Sequence, residues 1–227
     1  MQRIDEVLSV EASICDHGDV EAVESLRGEI EFRGLNFSYG GEHSVLALES
    51  LDLHVPAGST LGVVGPVGSG KTTLASIIPR LFEVESGQVF LDGVDINRLP
   101  LSMLRANIAM VPQDSFLFSM TLGENVAYGL SEDVHDEDIA QAAQRAQLTK
   151  DIHELPDGFN TLVGERGVML SGGQRQRAAL ARALALRPSI LILDDTLSAV
   201  DAATEAAIQE QLAEVFEGRT VVVVASR

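Results

Sequence analysis

The tightest constraint in the sequence is Gly65-Pro66-Val67-Gly68-Ser69-Gly70-Lys71-Thr72, which fits the pattern G-x-x-x-x-G-K-S/T in full. It lies between a short apolar strand, Thr60 to Val64, and a stretch of helical spacing, Lys71 to Leu81. Strand, glycine-rich turn and helix in that order commit the chain to an α/β core. The glycines let successive backbone N–H groups turn inward as an anion nest, and the helix N-terminus adds partial positive charge at the same point. Lys71 can reach the β- and γ-phosphates of a nucleotide, and the Thr72 hydroxyl can ligate Mg²⁺. We therefore expect Gly65, Pro66, Val67, Gly68, Ser69, Gly70, Lys71, Thr72 and Thr73 to hold ATP. An ordinary glycine turn capping a helix is the alternative. Lys71, however, is one of two lysines in the chain and occupies the position where the pattern demands one.

The surrounding pattern extends this core. Ile190 to Leu193 and Val221 to Val224 are apolar runs that each follow a helical segment, the alternation that builds a parallel sheet with right-handed crossovers. Upstream, Ile30 and Phe32, then Leu46, Leu48, Leu51, Leu53 and Val55, alternate with other residues as half-buried antiparallel strands do. Thr121 to about Leu186 is mostly helical in pattern and reads as a lobe inserted into the α/β core, with bounds of about 115–186. The expected architecture is α/β: a mainly parallel sheet, an N-terminal antiparallel β subdomain and an inserted α-helical subdomain. Residues 1–27, polar and acidic around Ile4, Val7 and Leu8, read as a helix end and linker, and 28–227 as the domain proper.

Composition removes other classes. A net charge of −18 opposes nucleic-acid binding, which draws its affinity from clustered Lys and Arg. No apolar run approaches the roughly 20 residues of a membrane-spanning helix, so a membrane role would be borrowed from a partner or from other sequence. Cys15 is the single cysteine, which excludes an intrachain disulfide framework and fits a reducing cytosol. The N-terminus lacks a basic region followed by an apolar core, so a secretory signal is not expected.

Two further features bear on a nucleotide. Asp194 closes the buried run Ile190-Leu191-Ile192-Leu193, the usual way of presenting a Mg²⁺-orienting acid beside a phosphate loop, although a helix-capping Asp would look similar. Leu170-Ser171-Gly172-Gly173-Gln174 precedes a helix with Leu180, Leu184 and Leu186 on its apolar positions. Ser171 with Gln174 forms a capping box, and that alone would explain a helix start. The two glycines add nothing to a cap, yet they leave N–H groups bare for a close anion. The chain thus carries two anion-binding helix starts about 100 residues apart.

The LSGGQ run at 170 to 174, with the phosphate loop before it and the ILILD strand after it, resembles the signature of ATP-binding cassette (ABC) domains, whose core is the P-loop NTPase fold. The resemblance covers nearly the whole chain. It implies that Tyr39 stacks on adenine, that Gln113 contacts Mg²⁺ and relays the γ-phosphate, and that Asp201 sits at a dimer interface. It also implies that Ser171, Gly172, Gly173 and Gln174 of one domain cover the ATP held by another, in a head-to-tail dimer around two MgATP. On their own residues, Tyr39 could equally be a strand aromatic, Gln113 a surface polar residue, and Ser198 with Asp201 a helix cap.

Thr161-Leu162-Val163-Gly164-Glu165-Arg166-Gly167 resembles the TEVGERG loop of exporters, which touches the membrane domains, with Leu162 where that pattern has an acid. Phe116 to Ser119, Glu124-Asn125 and Gly28 to Phe32 look similar to exporter sequences too. The implied setting is the cytoplasmic face of a cell membrane, with transmembrane domains and a second nucleotide-binding domain as partners. Members of that family continue past a strand like Val221 to Val224, so the chain reads as a C-terminally truncated piece of a longer exporter subunit, with a split subunit as the alternative.

Two catalytic positions depart from that family. After the Mg²⁺ acid the family has Glu as general base, whereas this chain has Asp195, one methylene shorter. A base must come within about 2.6–3.2 Å of its proton, so the shorter side chain is poorly placed. After Val224-Ala225 the family has His, whereas this chain has Ser226, which neither spans an imidazole's reach nor carries its charge. Asp194 to Ser198 also resembles heterodimeric exporters with one slow site. The expectation is a degenerate site built from Lys71, Asp194, Asp195 and Ser226, with the chain's own signature completing a partner's site. A non-hydrolysing ATP-binding module and a soluble ABC ATPase acting on DNA or ribosomes are the competing readings. The acidic charge and the short segment between phosphate loop and signature count against the second.

Overall fold

The computed structural model describes residues 12–16, 20–21, 23–40, 45–130, 135–164, 167–196 and 216–225. Within them an antiparallel sheet runs in the order β2 (Leu48–Val55), β1 (Ile30–Phe37), β4 (Val89–Leu91), β5 (Val94–Asp95). A second sheet runs β3 (Thr60–Val64), β8 (Thr220–Ala225), β7 (Ile190–Asp194), β6 (Ile108–Val111), all parallel. This is the α/β architecture expected from the sequence.

The alternation in β1 is broken once. Ile30, Phe32, Leu35 and Phe37 are buried, so the two-residue rhythm slips between Phe32 and Leu35. The register against β2 shifts there, and Gly34 takes a φ of 53°. The bulge keeps the side chains on one face despite the odd spacing.

The central strands β7 and β8 are largely buried on both faces, which is why they read as unbroken apolar runs. Ile190, Ile192, Val222 and Val224 pack with Ile30, Phe32 and Leu91 of the antiparallel sheet. Leu191, Leu193 and Val221 face the opposite way, into a core with Ala178, Leu180 and Leu184.

Helix α1 (Lys71–Ile77) is shorter than the helical spacing to Leu81 suggests. Pro79 has no N–H to continue the ladder. The chain closes with Leu81 N–H donating to the Ser76 carbonyl and Arg80 N–H to that of Ile77, while Arg80 adopts a φ of 54°. This is a Schellman turn with arginine in the left-handed position. Its guanidinium donates back to the carbonyl of Cys15 at 2.9 Å, and the Asp16 carboxylate accepts from the Leu101 N–H at the start of α2 (Leu101–Asn107).

The helices expected between Thr121 and Leu186 are α3 (Leu122–Ala127), α4 (Asp136–Arg145), α5 (Thr149–Glu154) and α6 (Gly172–Ala185). Fully buried Asn125 ties α3 to the loop before it. Its amide donates to the carbonyls of Phe118 and Thr121, and its carbonyl oxygen accepts from Phe118 N–H and Arg182.

Thr220, also fully buried, joins the two sheets: its hydroxyl donates to the Gly28 carbonyl at 2.7 Å and accepts from the Gly58 N–H at 3.0 Å. Thr220→Val leaves both backbone groups without that partner, and we expect a loss of about 1–3 kcal/mol, read as a lower urea midpoint at unchanged m-value.

Candidate functional site

The parallel ladder brings the site together. Val64 is level with Ala225, Asp194 with Val224, and Val111 with Leu193, so β3, β6, β7 and β8 end along one edge. In an open parallel sheet that edge is where ligands bind, because each strand hands a loop to the same crevice. Here it receives the Gly65 loop, Gln113 and Asp195. Ser226, one residue beyond β8, lies outside the described residues, as do Asp201, Ser198, Glu165 and Arg166.

A cavity of about 340 Å³ at that edge is lined by the stretch 67–73, Tyr39, Ala47, Gln113, Asp194 and Asp195. Five segments distant in sequence thus meet around one space. Gly70 enters α1 with φ 86°, and a Cβ there would lie 2.6 Å from the Ala47 carbonyl oxygen. Only glycine supplies that turn and that approach. Gly68, with φ 84°, has open space where a Cβ would be, so the loop presents bare backbone at its bend. The Lys71 ammonium donates to the carbonyls of Gly65 at 2.7 Å and Pro66 at 2.9 Å, arching back over the loop.

Tyr39 is anchored at one end and open at the other. Its hydroxyl lies 2.6 Å from Thr73 Oγ1, and its ring stands edge-on to Phe37 and Phe82 at 5.1 and 5.3 Å between centroids. It is nevertheless 65% exposed, so the ring offers surface for stacking. Ala47 was missed from the sequence, and no signal marks it: its carbonyl matters only because the fold lays it against Gly70.

Asp194 is buried at the end of β7. Burial raises its pKa above the ordinary carboxylate value, and the neighbouring Asp195 adds to the rise, against the Thr72 hydroxyl bond and the Lys71 charge. A carboxylate held where ionisation is costly is suited to a cation. The nearby donors, Thr72 hydroxyl and Gln113 amide oxygen, are hard oxygens of the kind Mg²⁺ takes. Among the described residues no group of three or more His, Cys, Asp or Glu side chains could hold a metal. In nucleotide sites Mg²⁺ takes its remaining ligands from phosphate and water. Asp195 turns out of the strand at φ 47°, its N–H donating to the Val224 carbonyl at 3.0 Å. A second cavity, of about 440 Å³, shares Thr72, Gln113 and Asp194 with the first, so Gln113 borders both.

Ser171, Gly172, Gly173 and Gln174 do not line either cavity. They open α6. The capping box forms: Gln174 N–H donates to Ser171 Oγ at 3.2 Å, and Ser171 N–H to Gln174 Oε1 at 2.9 Å. Ser171 and Gly172 are exposed. The first N–H groups of a helix have no intrahelical acceptor, so those of Gly172 and Gly173 are left without one at this helix start.

A glycine-rich loop at the head of α1, an acid at the end of β7 and a second glycine-bearing helix start outside the cavity form one recognisable set. The ABC transporter family model matches residues 48–198, two thirds of the chain. The chain belongs to the ABC transporter family. It is 47% identical over 222 residues to the ABC transporter ATP-binding protein YwjA of Bacillus subtilis, covering 98% of this chain and 38% of that protein. It is 45% identical over 205 residues to the ATP-dependent lipid A-core flippase of Pectobacterium atrosepticum, covering 90% and 35%. The structure of a bacterial Atm1-family ABC exporter with ATP bound superposes with a TM-score of 0.92 at 35% identity, covering the whole chain and 39% of that one. The chain spans well under half the length of these relatives, and what it shares with them is the ABC module.

The raised pKa of Asp194 makes a prediction with a definite sign. An acid whose folded pKa exceeds its unfolded value favours folding at low pH, and that contribution falls as pH rises from the unfolded to the folded pKa. Above both, ionised Asp194 is a standing cost. Asp194→Asn should therefore raise the denaturant midpoint of the ligand-free domain at neutral pH, by an amount that shrinks as pH drops toward the carboxylate range. The same variant should lose Mg²⁺-dependent nucleotide retention.

Proposed function

We propose that this domain binds MgATP in the cavity at the ends of the parallel strands and, paired head-to-tail with a second ABC domain, powers export through membrane domains. The observation that carries the reading is the meeting of Lys71, Thr72, Gln113, Asp194 and Asp195 in one cavity, while the open N–H groups of Gly172 and Gly173 lie outside it. A site whose second anion-binding element faces away from its own pocket is built to serve a neighbour's nucleotide.

In this reading the amides from Gly65 to Thr73 and the Lys71 ammonium bind the phosphate chain, and Tyr39 carries the base on its exposed face. Mg²⁺, when bound, neutralises phosphate charge; Thr72, Gln113 and Asp194 would hold it. Asp195 orients water against the terminal phosphate, though from one methylene further back than a glutamate would. Ser226 stands where an exporter domain carries histidine. These two departures support a slow site on this chain and an active one completed by Ser171, Gly172, Gly173 and Gln174 on a partner bearing Glu and His, with Asp201 at the interface. The flippase and exporter likenesses support membrane coupling, with the domain at the cytoplasmic face of a membrane.

The non-hydrolysing ATP clamp is the second reading, and Asp195 with Ser226 is what favours it. Two measurements test the site. Lys71→Ala should weaken MgATP binding by roughly 10–100-fold, the loss of one charge-assisted contact, in a titration with a fluorescent nucleotide. Unchanged affinity would overturn the binding site itself. Asp195→Glu with Ser226→His should raise turnover at this chain's own site by at least about tenfold, a barrier change near 1.4 kcal/mol, measured in a paired complex whose other site is inactivated by replacing its glutamate base. If turnover stays flat, the site is slow for reasons other than these two side chains.

A further inference from the structure

Asp151 was not singled out by the sequence, yet it sits beneath the Ser171–Gln174 turn. Its side chain lies on α5, is nine-tenths buried and holds the Arg177 guanidinium in a two-pronged pair, Nε to Oδ2 at 2.8 Å and Nη2 to Oδ1 at 2.9 Å. The arginine is equally sheltered, with 13% of its side chain exposed. A third donor reaches the same carboxylate: Gln174 Nε2, at 3.3 Å from Oδ1.

That third contact decides which way the Gln174 amide faces. An amide offers a carbonyl oxygen on one side and two N–H donors on the other, whereas an ionised carboxylate only accepts. Asp151 therefore takes the NH₂ side, and Oε1 is left facing Ser171, whose N–H donates to it at 2.9 Å. Turned over, the amide would set its oxygen against the carboxylate and its NH₂ against the Ser171 N–H. Both contacts would be repulsive. With the amide fixed, Gln174 N–H donates to Ser171 Oγ, which leaves the Ser171 hydroxyl proton to be donated elsewhere. Arg177, Asp151, Gln174 and Ser171 thus form one relay from the interior to the exposed helix start.

We propose that Asp151 is a positioning residue for the phosphate-binding turn of α6: it fixes the Gln174 amide and, through it, the Ser171 backbone, so that the Ser171 hydroxyl and the Gly172 and Gly173 N–H groups face a nucleotide phosphate held by the partner domain. The proposal rests on the function given above. It assigns Asp151 no contact with nucleotide.

A buried ion pair also contributes stability, so the test must separate holding the fold from orienting the turn. Replacing both members of such a pair with apolar residues is often neutral or stabilising, whereas removing one leaves a buried charge unpaired. Asp151→Leu with Arg177→Met removes the carboxylate but should keep the wild-type melting temperature. Arg177→Met alone leaves the carboxylate on Gln174 and should melt several degrees lower. The readout of orientation is hydrogen exchange at the Ser171 amide, followed by NMR on the intact chain. The double variant should exchange there about tenfold faster, keep wild-type MgATP affinity at its own phosphate loop, and lose about tenfold in kcat of the paired complex with KM unchanged. The single variant should keep Ser171 protection within about twofold despite its lower stability. Stability and turn geometry would then change independently.

If protection and melting temperature fall together, or if the double variant keeps Ser171 protection and kcat, Asp151 is only a structural ion-pair member and the proposal is overturned. Failure of the wild-type chain to bind MgATP would instead overturn the functional reading. The exchange measurement at Ser171 would still decide whether Asp151 orients the turn.

Discussion

The parallel hydrogen-bond register of β3, β8, β7 and β6 is the constraint on which the site depends. In a parallel ladder every strand points the same way, so aligned ends present their following loops to one crevice. Val64, Val111, Asp194 and Ala225 end along that edge, and the phosphate loop, Gln113 and Asp195 follow three of them. A slip of one residue in β7 would turn Asp194 to the opposite face and put an apolar side chain beside Thr72.

The same architecture treats the two glycine-bearing helix starts differently. The loop before α1 is folded over by its own lysine and closed by Ala47, Tyr39 and Gln113, so it belongs to a pocket within this domain. The start of α6 is exposed: Ser171 and Gln174 cap each other, and Gln174 reaches down to Asp151. One helix start is enclosed and the other displayed, which is the asymmetry a head-to-tail pair of such domains requires.

Much of the fold was legible because strong local signals coincide with tertiary roles. The glycine-rich turn between strand and helix, the unbroken apolar runs of β7 and β8, and the alternation of β1 and β2 each have one economical reading. Three features were not legible. The bulge at Gly34 depends on pairing with β2, and the early end of α1 depends on how the Schellman turn at Arg80 closes after Pro79. The capping box at Ser171 was visible, but the carboxylate beneath it was not, since Asp151 and Gln174 meet only when α5 packs against α6.

By itself the sequence determined which chemical groups the chain brings to a nucleotide: a run of backbone amides around glycine, one well-placed ammonium, a hydroxyl, an amide and a pair of adjacent acids. Those follow from residue type and local spacing, which the chain carries before it folds. Only the tertiary structure decided that Tyr39 braces against Thr73, that the Ala47 carbonyl closes over Gly70, and that burial and Asp195 make Asp194 a reluctant carboxylate suited to a cation. These depend on distances between segments far apart in sequence and on the removal of water around them, and neither exists until the two sheets and the helices have packed.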